Sequence, residues 1–445
     1  MDTHSVPVPP PGCPAHDSDG RVPLYQPEFA ADPQAYYDFL RHYGPMAPVE
    51  LAPGVEATLV TDYTAALNLL RDPSFRKDAR QWRDLRSGKV PEDSPVVPLL
   101  AYRPNCMFAD GAEHQRLRQA VTESMARIDS RRLAHSTEQA STYLIAQFSA
   151  HGSADLMADY ARQLPLFVFN ELFGCPADIG DRVLSGISGM FDGIDAAESA
   201  EVLYGAVGEL VALKRTRPGD DVTSWLMQHE ADLSDEEMLH QLSLLLGAGA
   251  EPLRNLIGNT LHRILTHERG AYQDVRNAID DTLWQNPPIA NLAAHYPATD
   301  RMYAGQQVEA GQLMMVSFAA ANTGIARTEA QASNRASLAW SAGPHACPSQ
   351  RPATHITVTA VDNLLGQIPD IELALPEALL TWRPGPFHRA LAGLPVRFSP
   401  VQVMGQPTPP PPPQHTTTQT EHHTAGQRKA NSPGKWSQFL SWLRK

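Results

Sequence analysis

The chain has 445 residues, a hydrophobic fraction of 42% and a formal net charge of −13. That length allows two or three domains, or one large helical domain with a sizeable core. The acidic balance excludes nonspecific nucleic-acid binding by the body of the protein. The four cysteines (Cys13, Cys106, Cys175 and Cys347) are scattered without C-x-x-C spacing. This argues against a structural zinc site or a disulfide framework and fits a reducing cytoplasm. The N-terminus lacks the apolar stretch of a signal peptide, so none is expected, and no apolar run is long enough to span a bilayer.

Residues 1–22 are rich in proline and polar residues and predict an extended or disordered segment. A globular pattern follows over 23–403. Ala57–Thr61 reads as a short strand, and Asp62 caps a helix over Tyr63–Asp72 with Ala65, Leu67, Leu69 and Leu70. Gly88–Asn105 is a proline-broken loop, and a helix is predicted over Ala112–Arg127. Helical patterns dominate as far as His267, and strand-like segments return at Leu313–Ser317 and Val396–Ser399. The fold class is therefore mainly α with small β-sheets.

The clearest predicted element is one long helix. Ser234-Asp-Glu-Glu237 is a capping box, and apolar residues run on from Leu239 to Leu265. A helix over 234–266 is about 50 Å long and must cross the interior of a large helical domain. Beyond 403 the chain changes character. Residues 404–435 form a linker whose Pro407–Pro413 stretch is a stiff polyproline II spacer. Residues 436–445 regain helical periodicity, with Trp436, Phe439, Leu440 and Leu443 in one stripe. Ten residues are too few to hold a helix alone. The tail therefore predicts an element that folds on a protein partner or a membrane surface, the alternative being a disordered end.

Three segments carry chemistry. Cys347 stands in a Gly/Pro-containing loop, two residues after His345, and a helix-length segment, Ala353–Leu365, follows. A thiolate near a helix N-terminus is electrostatically favoured and is a ligand for heme iron. A lone cysteine is otherwise a buried structural residue. His114 and Arg118 are four apart and share one helix face. Such a pair suits two carboxylates, or is simply a solvated surface pair. Within the long helix, Pro252 removes the amide hydrogen that would bond the carbonyl of Ala248, which predicts a kink.

The loop Trp340-Ser-Ala-Gly343-Pro-His345-Ala-Cys347-Pro-Ser349 resembles the heme-binding loop of the cytochrome P450 superfamily, F-x-x-G-x-H/R-x-C-x-G. Gly343, His345 and Cys347 match, whereas Trp340 replaces the Phe and Ser349 the final Gly. His114-x-x-x-Arg118 resembles the family's C-helix. The resemblance implies that His114, Arg118 and His345 contact heme propionates, and His295 falls where the family has an Arg with the same task. Gly247–Leu253 is similar to the oxygen-binding segment A/G-G-x-D/E-T, with Glu251 at the acid and Pro252 and Leu253 where a threonine is usual. The largest departure is the E-x-x-R motif, replaced here by Asp281 and Trp284. In this the chain resembles an actinobacterial-type subgroup lacking that motif. Asp281 is expected to pair with Arg335 or Arg327, and Trp284 to fill the vacated volume. Trp382–Phe387 and Leu391–Val396 also match the family. They show no obvious chemistry and are assigned to pocket shape.

The resemblance, covering about Pro23–Pro400, implies a heme b protein with Cys347 as the iron ligand. It implies monooxygenation of a small organic substrate, Glu251 as proton relay, and electrons from a ferredoxin and a ferredoxin reductase. Pro348 cannot donate to the sulfur, and Ser349 is expected to offer its hydroxyl instead. The missing helix alcohol predicts poor coupling of electrons to product. A rival reading, favoured by the same departures and the tail, is a catalytically weak heme-binding partner or sensor module of this fold.

Overall fold

The computed structural model describes residues 20–192, 196–267, 272, 274–325, 335–402 and 434–443. The N-terminal segment 1–19, Arg327 and the proline-rich stretch 403–433 lie outside them.

The first layer is a twisted sheet. Strands β1 (Val22–Pro23), β2 (Met46–Ala52) and β3 (Val55–Val60) are joined by β4 (Phe75–Arg76), β6 (Asn291–Pro297) and β9 (Met314–Ser317) in the order β1-β2-β3-β9-β6-β4. Alternating residues of β2 and β3 are buried, so one sheet face packs on helices α1 (Pro27–Ala31) and α2 (Pro33–Leu40). Helix α3 (Tyr63–Arg71) starts where expected, with Asp62 accepting from the Ala65 amide at 2.8 Å. The expected strands at 57–61 and 313–317 are β3 and β9 within one or two residues. The loop 88–105 contains only the short turn α5 (Val97–Leu100), after the four-residue α4 (Arg83–Arg86).

The second layer is helical. It comprises α6 (Gly111–Ala126), α7 (Ser130–Phe148), α8 (Leu164–Leu172), α9 (Ala177–Asp192), α10 (Ala196–Thr216), α11 (Val222–Met227), α12 (Asp235–Thr266), α13 (Val275–Gln285), α14 (Phe318–Thr323) and α15 (Gln350–Gln367). Helix α12 is the long helix read from the sequence. Its capping box is present, with Ser234 Oγ accepting from Glu237 N at 3.2 Å and Glu237 Oε2 from Ser234 N at 2.9 Å. Leu242, Leu246, Leu253, Leu256, Ile257 and Leu261 of α12 belong to the main core, with Leu144 of α7 and Leu364 of α15. A small sheet of β5 (Ser153–Asp155), β10 (Glu372–Leu373) and β11 (Pro395–Arg397) and the hairpin β7 (Arg301–Tyr303)–β8 (Gln306–Val308) complete the body.

The tail corrects an expectation. Helix α16 (Lys435–Leu443) forms, but its apolar stripe faces neither a membrane nor a second protein: it is buried on α7, α8 and α9 of its own chain. Trp436 and Phe439 are 2% and 1% exposed. Phe439 stacks on Phe167 with ring centroids 5.1 Å apart. The amphipathic pattern was real, and its partner surface is intramolecular.

Among the described residues, no helix is long and apolar enough to cross a membrane.

Candidate active site

Cys347 sits in a turn held by its own amide, which donates to the Trp340 carbonyl at 2.8 Å. Gly343 has φ +70, and a Cβ there would lie 2.3 Å from the Leu70 carbonyl oxygen. Only glycine lets this loop pass so close to the end of α3. Burial pushes the Cys347 thiol up, while the Ser349 backbone amide and Arg118 act in the opposite direction. A sulfur donor is thus supplied by the Ser349 backbone, where the sequence pointed to its hydroxyl.

The basic residues singled out in the sequence converge. His114 of α6 and His345 of the cysteine loop have ring centroids 3.9 Å apart. Arg118, one turn after His114, donates through Nη2 to the Ala346 carbonyl. His295 enters from β6, where the register with β9 shifts between Leu292 and His295 and Ala293 takes a positive φ of 56°. Such a bulge re-aims the side chain that follows it, and His295 Nδ1 lies 2.6 Å from the Ala293 carbonyl.

A fifth group was missed. Lys77, just after β4, is 8% exposed, and its Nζ donates to the Ala294 carbonyl at 2.7 Å. Burial pulls its pKa down to about 8. The only sequence signal was its place in Phe75-Arg-Lys-Asp, and short motifs of that kind do not distinguish a solvated lysine from a buried one.

This cluster requires an anion. His345 is pushed down to about 2 by burial and by the surrounding Lys77, His114, His295 and Arg118, all basic. His295 is held well below its ordinary value by burial and Lys77. Asp110 is the acid felt by Lys77, but its oxygens already accept the amides of Lys77 and Asp78 at 3.0 and 3.1 Å. His114 Nε2 is buried without a hydrogen-bond partner. A buried ring nitrogen left unpaired beside the cationic Arg118 and Lys77 is costly, and two carboxylates would satisfy the cluster. Heme propionates fit this donor set, and Cys347 is the thiol in the loop that carries His345.

On α12, Ala248 is exposed in mid-helix, so this face borders open space. Pro252 is one turn on, on the same face and half-buried. Leu253 is 3% exposed and packs in the core. The residue in place of the family's alcohol is therefore Pro252 alone, which corrects the joint assignment to Pro252 and Leu253.

Glu251 is buried, and both its oxygens are engaged. Oε2 lies 3.3 Å from Arg254 Nη1, and Oε1 accepts from Arg383 Nη1 and, at 3.4 Å, from Asn255 Nδ2. Burial opposes ionisation, but the two guanidiniums outweigh it and hold the carboxyl below its ordinary value. His388, in the same hairpin as Arg383, is pushed down to about 4 by burial and Arg383. Arg383 belongs to a segment that the sequence assigned only to pocket shape, and His388 follows directly after it.

The expected pairing of Asp281 with Arg335 is corrected, while Arg327 lies outside the described residues. Arg335 meets Asp280, Nε to Oδ2 at 3.0 Å, and Asp281 Oδ2 accepts from the Tyr272 hydroxyl at 3.1 Å. Asp280 and Asp281 are adjacent on α13 and both half-buried, but successive helix positions point about 100° apart, so Arg335 reaches Asp280 while Asp281 meets Tyr272. The buried guanidinium beside α13 comes from α12 instead. Arg263 donates to Thr282 Oγ1 at 3.3 Å and Gln285 Oε1 at 3.2 Å. Trp284 is buried on the same helix.

No family model matches the chain. It is 30% identical over 371 residues to the 2-hydroxy-5-methyl-1-naphthoate 7-hydroxylase of Streptomyces carzinostaticus, spanning 76% of this chain and 88% of that protein. The chain belongs to the cytochrome P450 family. The cytochrome P450 monooxygenase PikC of Streptomyces venezuelae is likewise 30% identical, over 83% of this chain and 92% of its own length. Among solved structures, CYP154C4 from Streptomyces sp. W2061 superposes with a TM-score of 0.76 at 27% identity, covering 84% of this P450 and 97% of that chain. This P450 is thus a heme-dependent monooxygenase of the bacterial type, with the mainly helical fold and small sheets of the family.

Proposed function

We propose that this P450 oxidises a small organic molecule with dioxygen and two electrons from a ferredoxin and its reductase. The supporting observation is the convergence of Cys347 with five buried or half-buried basic groups and an unpaired His114 Nε2 beside the open face of α12. The relatives named above are hydroxylases or monooxygenases by description, which supports the reaction class and leaves the substrate to experiment.

In this reading Cys347 ligates the iron, and Lys77, His114, Arg118, His295 and His345 hold the propionates. The bound heme supplies dioxygen activation, with thiolate ligation favouring O–O cleavage. The balance is RH + O2 + 2e− + 2H+ → ROH + H2O, so two protons must reach the site from solvent. Glu251 is an acid three residues on from Ala248 in α12. In the present geometry it is a fixed carboxylate, clamped by Arg254 and Arg383. It acts by accepting hydrogen bonds from water, with proton transfer requiring release of one guanidinium. Pro252 offers no donor, and the Ala248 carbonyl it frees can anchor a water.

That clamp and Pro252 favour a second reading, a heme protein of this fold with weak turnover that binds its ligand as a partner or sensor module. One measurement tests the heme-thiolate centre that both readings share, and a second separates them. The reduced carbonyl complex should show the red-shifted Soret band of thiolate ligation, lost in Cys347→Ala. Small molecules found by a Soret-shift screen should then yield oxidised product with NADPH, ferredoxin and reductase. Ligand binding without product supports the weaker module.

A further inference from the structure

We propose that α16 is an intramolecular clamp on α9, and that its docking restrains the α9–α10 pair over α12 and sets the rate at which small molecules reach the space beside Ala248.

The docking is specific in polarity. A nine-residue helix does not persist alone in water, and its first-turn amides need acceptors. Helix α16 finds them on another element: Asp181 of α9 accepts from the Trp436 amide at 2.8 Å and from the Ser437 hydroxyl at 2.5 Å. A carboxylate there also complements the helix dipole. The cap that allows α16 to form thus belongs to the helix it docks on, so folding and docking are one event.

It is also specific in shape. A Cβ at Gly180 would stand 2.3 Å from Trp436 Cδ1, and one at Gly434 would stand 2.2 Å from Asp181 Cγ. Both positions admit only glycine in the docked state. Trp436 Nε1 donates to the Cys175 carbonyl at 3.3 Å, and Phe439 lies against Tyr143 of α7 at 5.2 Å as well as against Phe167.

What α16 holds is the α9–α10 pair. The face of α9 that carries Gly180 continues through Val183 and Ile187, one and two turns on, into the main core that also holds Trp436 and Phe439. Gly186 abuts Leu203 of α10, where a Cβ would come within 2.8 Å, so the two helices are in close contact. Helix α10 reaches across to α12, with the Tyr204 and His240 rings 5.6 Å apart. His240 lies two turns before the exposed Ala248. Residues 403–433 tether α16 to the body.

The test compares the heme-loaded full chain with Gly180→Leu, which excludes Trp436, and with a chain ending at Gln402. Amide exchange of 177–192 and 196–216 reports the helices, and imidazole binding followed by heme absorbance reports access. Both changes should weaken protection of α9 about tenfold and speed imidazole association several-fold. A synthetic 434–445 peptide should restore both values in the truncated chain but not in Gly180→Leu. Loss of protection with unaltered imidazole rates would reduce α16 to a stability element and overturn the proposal. Unaltered protection would overturn the docking itself. A full-length dimer docked in trans would overturn the intramolecular clamp.

Discussion

Arg383 Nη1 meets Glu251 Oε1 across 132 residues of sequence, joining the C-terminal hairpin to the middle of the longest helix. Arg254 takes the other carboxylate oxygen. The acid position of the oxygen-binding segment is therefore electrostatically anchored, and its chemistry depends on a loop that the sequence matched to the family without assigning it any chemistry.

Arg383→Met should be strongly destabilising. Removing one partner of a buried pair costs roughly 3–5 kcal/mol, while Arg383→Met with Glu251→Gln should recover much of it. Glu251 has a depressed folded-state pKa, so its contribution is present above the unfolded carboxyl value and is lost as pH falls through the folded one. Thermal melts from pH 7 to pH 3 should show wild-type stability falling across that window. The double variant should show a shallower fall.

Heme affinity should depend on Lys77 and on pH. Without the propionates Lys77 titrates at about 8, and two adjacent carboxylates raise that value. Bound lysine is then charged where free lysine is not. Binding is strongest below about pH 8 and weakens above it, by up to tenfold per pH unit for one coupled proton. Heme titration of the apoprotein between pH 7 and 9.5 checks this. Lys77→Met should bind more weakly at pH 7 and lose the slope.

Pro252 and Leu253 should respond differently to threonine. Pro252→Thr restores a donor on the Ala248 face and should raise product formed per NADPH, because a positioned proton donor is worth about 10²–10⁴-fold. Leu253→Thr places a hydroxyl in the core and should lower stability by about 2–4 kcal/mol with no gain in coupling. Equal effects on coupling would refute the assignment of the two faces.

Asp280 and Asp281 should also separate. The Asp280–Arg335 pair is largely exposed on the arginine side, and such pairs contribute about 0–1 kcal/mol. Asp281→Ala leaves the Tyr272 hydroxyl without this acceptor and should cost about 1–3 kcal/mol. Melting temperature and heme content of the two alanine variants distinguish them.

The local features of this P450 are legible in its residues and their spacing. The Ser234 capping box, the Asp62 cap, the four-residue spacing of His114 and Arg118, and the glycine two residues before His345 follow from short-range geometry, which residue type and spacing encode directly. The sequence also showed that α16 has one apolar face. Only the tertiary structure decided what meets what at long range. That α16 packs on its own chain, that Lys77 joins the basic cluster, that Arg383 rather than a neighbour closes on Glu251, and that Arg335 finds Asp280 instead of Asp281 all depend on burial and approach between distant segments. A charge or an apolar stripe in sequence specifies a need for a partner. The partner's identity is fixed by which surfaces the packed helices bring within a few ångströms.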